Sequence, residues 1–490
     1  MRFNHLGAVI VSLAVLTPSI TTAQETATTD TLTLSLDRCI AIALSDNPTI
    51  KVADMEIERV DYSKKEVIGQ LLPSISFGAT YNRTLAKQVT YMNMDAFKGM
   101  GSSSSNNESS EGENAESQES GQSNASSATG SSGNSGIKMG LDNSYSVGFS
   151  ASLPLIAPQL WKSLKLSDSQ ILQNVEAARQ SRLSLINSVK TAYYTLLLAE
   201  DSYNVILESY ENAKFNHDVY KKKFQVGSAS EYDVLRSSVA LKNVEPELMQ
   251  AEISIKQARL QLQILMGMSC TIPIKATTTL ADYEKDMYAQ TLSIDRSIEG
   301  NTDLRMLDIQ TRSLRDALSI QKMSLLPTLA LTANYNWTSM SNGTPFKDLR
   351  WNPYSMVGLT LSIPLFEGGQ RYSRIKQAQI QVDEMKWQRE NLERSVNMQV
   401  DLAIDNIHMN VKQIASTSES VKEADKAHDI MEKSFEIGAA SYLDLRDSEL
   451  ALTRARLAYY QSIFNYLVAH SELELLLGNA DVEKYTTETE

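Results

Sequence analysis

The sequence is duplicated, and the duplication constrains the fold more than any other feature. Residues 47–81 align without a gap on residues 301–335, most closely at the end, where LLPSISFGATYN stands against LLPTLALTANYN. A second block, VGFSASLPL at 147–155, matches VGLTLSIPL at 357–365. A third runs from FQVG at 224–227 to LMG at 265–267, and recurs as FEIG at 435–438 to LLG at 476–478. Three blocks in one order describe a single unit used twice. A solenoid needs about three or more such units to cover its faces, so two units predict a chain that completes its structure with other chains. A length of 490 residues ordinarily suggests about three globular domains; the repeat boundaries instead divide it into units at 24–267 and 301–478, with a linker at 268–300 and a tail at 479–490.

Each unit contains two alternating segments. Ile75, Phe77, Ala79 and Tyr81 alternate with small polar residues, and so do their repeats Leu329, Leu331, Ala333, Tyr335 and Trp337. Tyr145, Val147, Phe149, Ala151, Leu153 and Leu155 form a third such series, and Val357, Leu359, Leu361 and Ile363 a fourth. Alternation of this kind predicts strands with one apolar face. Segments of about ten residues with aromatic ends suit strands that cross a membrane. The ordinary alternative, a sandwich, does not lead from each strand pair into a very long helix, as these do at Pro158 and after Pro364. Four strands cannot close a barrel alone, so membrane strands imply an oligomer. The loop at 99–137 carries five Glu, no Lys or Arg and almost nothing apolar; such a tract cannot offset its ordering entropy and is expected to be disordered.

Residues 160–224 and 371–435 contain neither Gly nor Pro, so each is expected to form one helix of about 65 residues, or about 100 Å. Ile206, Tyr210, Ala213, His217, Tyr220 and Phe224 step by four and three, as do Ile404, Ile407, Val411, Ile414, Ser418 and Val421. The segments that follow repeat every seven residues, at Val234, Leu241, Leu248, Ile255 and Leu262, and at Leu445, Leu452, Tyr459, Tyr466 and Leu473. A strict heptad predicts left-handed supercoiling. Gly227 and Gly438 supply the breaks between the descending and returning helices, and Pro246 is expected to kink the first returning helix.

Charge and targeting narrow the setting. The chain carries 46 Lys and Arg against 59 Asp and Glu, a net charge of −13, with no basic stripe of the kind that binds nucleic acid. Residues 1–23 begin with Arg2, continue with an apolar run at 6–16, and place Thr21 and Ala23 before Gln24; they read as a cleaved secretory signal, being too short for a spanning helix of about 20 residues. No later run is long and uncharged enough to span as a helix, so any crossing is by strands. The five His are scattered, and no Cys/His/carboxylate cluster has metal-ligand spacing. No catalytic residue, metal or cofactor is expected. Cys39 and Cys270 are the only two cysteines, and in an exported protein they either pair or remain separate thiols.

This pattern resembles the TolC-type outer-membrane efflux proteins over residues 34–478. The motif of an aromatic, a Gly three residues on and an Asp six further appears as Phe224, Gly227 and Asp233, and again as Phe435, Gly438 and Asp444, with a second Asp at 447. The resemblance implies a mixed α and β membrane protein: a homotrimer whose twelve-stranded barrel, four strands from each copy, sits in the outer membrane and continues as a periplasmic coiled-coil helical tunnel. It implies passive efflux or type I secretion, with a periplasmic adaptor, an inner-membrane pump and outer-membrane lipid as partners. It also places Cys39 and Cys270 in the belt around the tunnel, where they are able to meet. The rival function is a non-conducting coiled-coil adaptor or spacer of the envelope.

The resemblance makes Asp444 and Asp447 the gate. Three residues apart, they share one helix face, and three copies would bring six carboxylates around one axis, a ring that binds or selects cations. Read without the resemblance, the pair is a solvated charge at a helix start, where the dipole favours Asp. Glu432 matches a position that helps tie hairpins together. The family often carries an Arg shortly after the second Gly, to pair with the first hairpin's Asp; Ala439, Ala440 and Ser441 stand here instead. Arg236, which the repeat aligns with Asp447, is the candidate replacement.

Overall fold

The computed structural model describes residues 32–90, 137–270, 272–292, 296–347 and 349–479. The signal, residues 99–136 of the acidic loop and residues 480–490 of the tail lie outside them. In chain order the elements are β1 (Leu32–Leu34), α1 (Leu36–Asp46), α2 (Pro48–Gly69), β2 (Ser74–Arg83), β3 (Gln88–Thr90), β4 (Ile137–Met139), β5 (Asn143–Ile156), α3 (Pro158–Gln225), α4 (Glu231–Leu265) and β6 (Ile274–Ala276). There follow α5 (Leu280–Leu292), α6 (Thr302–Met323), β7 (Thr328–Ser341), β8 (Asn352–Ser362), α7 (Gln370–Glu436) and α8 (Tyr442–Leu477). The predicted long helices form, with 68 residues in α3 and 67 in α7. No helix among the described residues is long and apolar enough to cross a membrane. The described residues form two compact units, one within the spans Met1–Glu58, Gln173–Asp308 and Trp387–Glu490, the other within Arg59–Leu172 and Ile309–Lys386.

The second unit holds an antiparallel sheet in the order β2-β5-β7-β8. Its register sorts the side chains by face, because neighbours across the ladder point the same way. Phe77 pairs with Phe149, Phe149 with Tyr335, and Tyr335 with Ser355; Ala151 pairs with Ala333, and Ala333 with Val357. All the apolar series therefore share one face, while Ser76, Ser150, Asn334 and their neighbours share the other. Leu155 does not continue the alternation: the ladder pairs Pro154 with Ala330 and then Ile156 with Leu329. Leu155 is the extra residue of a bulge beside a proline that has no N–H to give. Below the sheet, Asp316 joins α3 and α6 by accepting from the Ser169 hydroxyl at 2.9 Å and standing 3.6 Å from the Lys165 ammonium.

The first unit is helical around a single apolar core. Tyr193, Leu196 and Leu197 of α3, Leu262 of α4, Ile407 of α7 and Ile463 and Tyr466 of α8 are almost wholly buried in it. The two phenols find buried acceptors, as aromatic hydroxyls in a core must: Tyr466 donates to Met287 O at 3.0 Å and Tyr193 to Leu34 O at 3.2 Å. Leu34 belongs to β1, which pairs in parallel with β6. The duplication persists in detail here. Asn47 donates to Leu265 O at 2.7 Å and accepts from Thr49 N–H, while Asn301 donates to Leu476 O at 2.8 Å and accepts from Leu304 N–H. In each repeat one asparagine thus starts a helix and ties down the last carbonyls of the returning one.

The cysteines are separate. Cys39 is 0% exposed on the inner face of α1, and Cys270 is exposed after α4. The disulfide that the resemblance allowed is not formed, because α1 packs its thiol into the core, and burial pushes that thiol up to about 12.

Candidate gate at the hairpin tips

Both hairpins turn by the same chemistry. Helix α3 ends with Gly227 at φ 76°, its N–H bonded to Phe224 O and that of Ser228 to Lys223 O; α7 ends with Gly438 at φ 78°, its N–H bonded to Phe435 O and that of Ala439 to Ser434 O. A left-handed residue followed by such back-bonds closes a helix, and glycine takes it without steric cost. Three residues further on, each returning helix opens with a capping box. Ser230 Oγ accepts from Asp233 N–H at 3.2 Å, and Asp233 Oδ2 accepts from the Ser230 N–H at 3.1 Å and from its hydroxyl at 2.6 Å. Ser441 and Asp444 repeat this at 3.3, 3.1 and 2.7 Å.

This arrangement defines what Asp444 does within one chain. Its carboxylate satisfies helix-start donors that otherwise have no partner, and the hydrogen bonds from Ser441, hydroxyl first and backbone second, hold it below the usual carboxylate range. Asp233 is lowered for the same reason, with Arg236 adding a smaller pull. Asp447 is exposed one turn further along α8, with Leu445 buried between the two. Both gate candidates therefore present charge to solvent from one helix edge.

The tip residues singled out from the sequence meet unequally. Phe435 lies 6.4 Å from Tyr442, whose ring meets Tyr220 of the first hairpin edge-on at 5.1 Å. The Lys223 ammonium stands 5.5 Å from Tyr220 and 5.7 Å from Phe435. Arg236 lies over Tyr442 with its guanidinium carbon 5.9 Å from the ring centroid. Arg236 thus bridges the hairpins as a cation on an aromatic face. Phe224 and Glu432 remain exposed. Tyr442 was missed in the sequence; it connects both hairpins, and burial raises its phenol.

Above the tips the hairpins are joined by polar contacts that spacing could not reveal. Arg456 of α8 reaches Glu208 of α3 at 2.6 Å and Asp425 of α7 at 3.0 Å. Asn216 donates to Glu449 at 3.3 Å, and burial raises the Glu449 carboxyl while His428 and Arg446 pull it back. One pair survives in both repeats: His217 with Ser237 at 3.1 Å and His428 with Ser448 at 3.2 Å. Among the described residues no cluster of three or more His, Cys, Asp or Glu is placed to hold a metal ion.

Comparison with known proteins gives the family and the fold. The family model described as outer membrane efflux protein matches residues 39–268 and 293–479. Outer membrane protein TolC of Escherichia coli is 25% identical over 366 residues, covering 69% of this chain and 73% of the relative. The alkaline protease secretion protein AprF of Pseudomonas aeruginosa is 22% identical, covering 69% and 70%. Among solved structures, the Campylobacter jejuni CmeC outer membrane channel superposes with a TM-score of 0.64 at 17% identity, over 92% of this chain and 88% of that one. CusC superposes with a TM-score of 0.66 at 16% identity, over 91% and 93%. The match spans both repeats and all four sheet strands, and the chain belongs to the outer membrane efflux protein family.

Proposed function

We propose that three copies of this chain close one channel, and that Asp444 and Asp447 of each line its narrowest point. Membership of the family gives the outer membrane as the location and efflux as the task, and decides against a non-conducting spacer. The observation that carries the trimer is the sheet itself. Its strands run β2-β5-β7-β8, so β2 and β8 are both edges, and its apolar face leaves Ile75, Val357 and Leu359 exposed. The exposed apolar face suits lipid rather than water, but the open edges are untenable in a membrane. Pairing β8 of one copy antiparallel with β2 of the next removes every edge, and three copies supply twelve strands, an even number as such barrels require.

The hairpin tips are then brought around the same axis, where two carboxylates from each copy make a ring. Such a ring is self-repelling and draws cations to it, so the constriction is cation-attracting. The tips, with Phe224 and Glu432 exposed, are the surface offered to a periplasmic adaptor, through which an inner-membrane pump delivers cargo. Light scattering in detergent should give the mass of three protomers, and planar bilayers should show small resting conductance. A monomeric species without conductance would overturn the proposal.

A further inference from the structure

The segment that joins β7 to β8 is firmly built. Asn342 accepts from Asp142 N–H at 3.1 Å, Gly343 N–H donates to Asp142 Oδ2 at 3.1 Å, and Gly343 O accepts from Asn143 at 3.1 Å. Phe346 N–H donates to the Tyr145 hydroxyl at 2.8 Å. These bonds fold the segment back onto the apolar face of the sheet. The Phe346 ring lies 5.4 Å from Tyr81 and 5.2 Å from Tyr145, and Trp351 meets Tyr145 edge-on at 6.5 Å. Tyr145 is left 5% exposed, while Phe346 is 69% and Trp351 43% exposed.

Phe346 has φ 64°, the one positive value at a non-glycine among the described residues. A bulky residue is disfavoured there and stays only where its surroundings over-determine it. Here the bonds of Asn342 and Gly343 to Asp142 and Asn143 and the Tyr145 hydroxyl do so, and the result is an aromatic ring held over the apolar face. Beside it Lys347 and Arg350 are exposed, and neither is ion-paired among the described residues. Lys87, by contrast, is engaged by Asp142 at 3.1 Å. Asp348 lies between the two cations in sequence and outside the described residues.

The segment sits at the strand ends opposite those that lead to α2, α3, α6 and α7. In an outer-membrane protein whose helices are periplasmic, those ends border the outer leaflet. We propose that residues 342–347 and 349–351 form a docking site for a phosphate-bearing lipid of that leaflet. Phe346 and Trp351 lie at the level where an aromatic girdle meets the headgroups, Trp351 with a polar ring N–H and Phe346 as an apolar wedge beside it, and Lys347 and Arg350 donate to the lipid phosphate, Arg with its fork of donors. Two features single out this occupant: the site is continuous with the apolar face that lipid covers, and the exposed charges among its described residues, Lys347 and Arg350, are positive where the headgroup is negative. The inference rests on the membrane placement of the sheet and is independent of the carboxylate gate.

The test uses the full-length protein in phosphatidylcholine nanodiscs doped with diphosphorylated lipid A or with lipid A stripped of its phosphates, followed by native mass spectrometry of retained lipid. The unaltered protein should retain the phosphorylated form about tenfold better, and the Lys347→Ala/Arg350→Ala double variant should lose about that factor. Mass and conductance of the variant, read in parallel, report the channel separately. Equal retention of both lipids by the unaltered protein would overturn the proposal, and so would undiminished retention by an assembled double variant. If the variant does not assemble, the comparison of the two lipids on the unaltered protein decides alone.

Discussion

Arg236 of the first hairpin stands over the ring of Tyr442 at the start of the second, 5.9 Å from its centroid. The tips are therefore joined by a cation on an aromatic face. Such contacts contribute about 0.5–1 kcal/mol when partly exposed. Tyr442→Ala, which also removes the contact with Tyr220, should raise resting conductance more than Arg236→Ala. Tyr442→Phe should stay near the unaltered value, since the ring is kept. Single-channel recording of the three variants checks the order.

Arg456 holds Glu208 and Asp425 together, and both carboxylates are about half exposed. Pairs of this kind stabilise by at most about 1 kcal/mol and are screened by salt. Arg456→Ala should therefore leave the thermal midpoint nearly unchanged while loosening the link between hairpins. The expected readout is a higher resting conductance at low ionic strength, with the difference from the unaltered channel shrinking as salt rises.

The capping boxes make the tips sensitive to acid. Asp233 and Asp444 are both held below the usual carboxylate range by hydrogen bonds to the charged form. Their stabilisation is fully present above the unfolded carboxylate value and is lost as pH falls through the lowered one. Hydrogen exchange at the first turns of α4 and α8 should be protected near about pH 7 and lose protection, beyond the change in intrinsic rate, toward about pH 3. Ser441→Ala should remove about 1 kcal/mol of local stability and blunt that pH dependence in α8 alone.

The two thiols should differ sharply. Cys39 is enclosed and shifted up to about 12, so almost no thiolate is present at neutral pH. Cys270 is exposed. An alkylating reagent should modify one thiol per folded chain and both after denaturation. Two modified thiols in the folded protein would mean that α1 does not hold Cys39 in the core.

The strands were legible because a period of two survives in sequence and the apolar face fixes register. The bulge at Leu155 was not, since a proline can sit in an alternating series without interrupting it. The heptad on α8 was read correctly, with Leu445, Leu452, Tyr466 and Leu473 all buried. On α4 the larger residues Val234, Leu241, Leu248 and Ile255 are only half-buried, and the deepest seam is Ser237, Val244, Ala251 and Ala258. Small residues let helices approach closely while contributing little hydrophobic signal. The capping boxes were available from the Ser-x-x-Asp spacing. Tyr442, Glu449 and Arg456 were not, because their partners lie on the other hairpin, more than 200 residues away in sequence.

The carboxylate ring is tested most directly by conductance, and the capping box decides which substitution to use. Asp444→Ala would remove both the charge and the bonds to Ser441, whereas Asp444→Asn retains an oxygen that can accept them. The measurement is the conductance of the Asp444→Asn/Asp447→Asn double variant in planar bilayers, with and without a multivalent cation on the periplasmic side. The account predicts a higher conductance at low voltage and weaker cation block, with the tips still folded. Unchanged conductance and unchanged block in an assembled double variant would contradict it and place the constriction elsewhere.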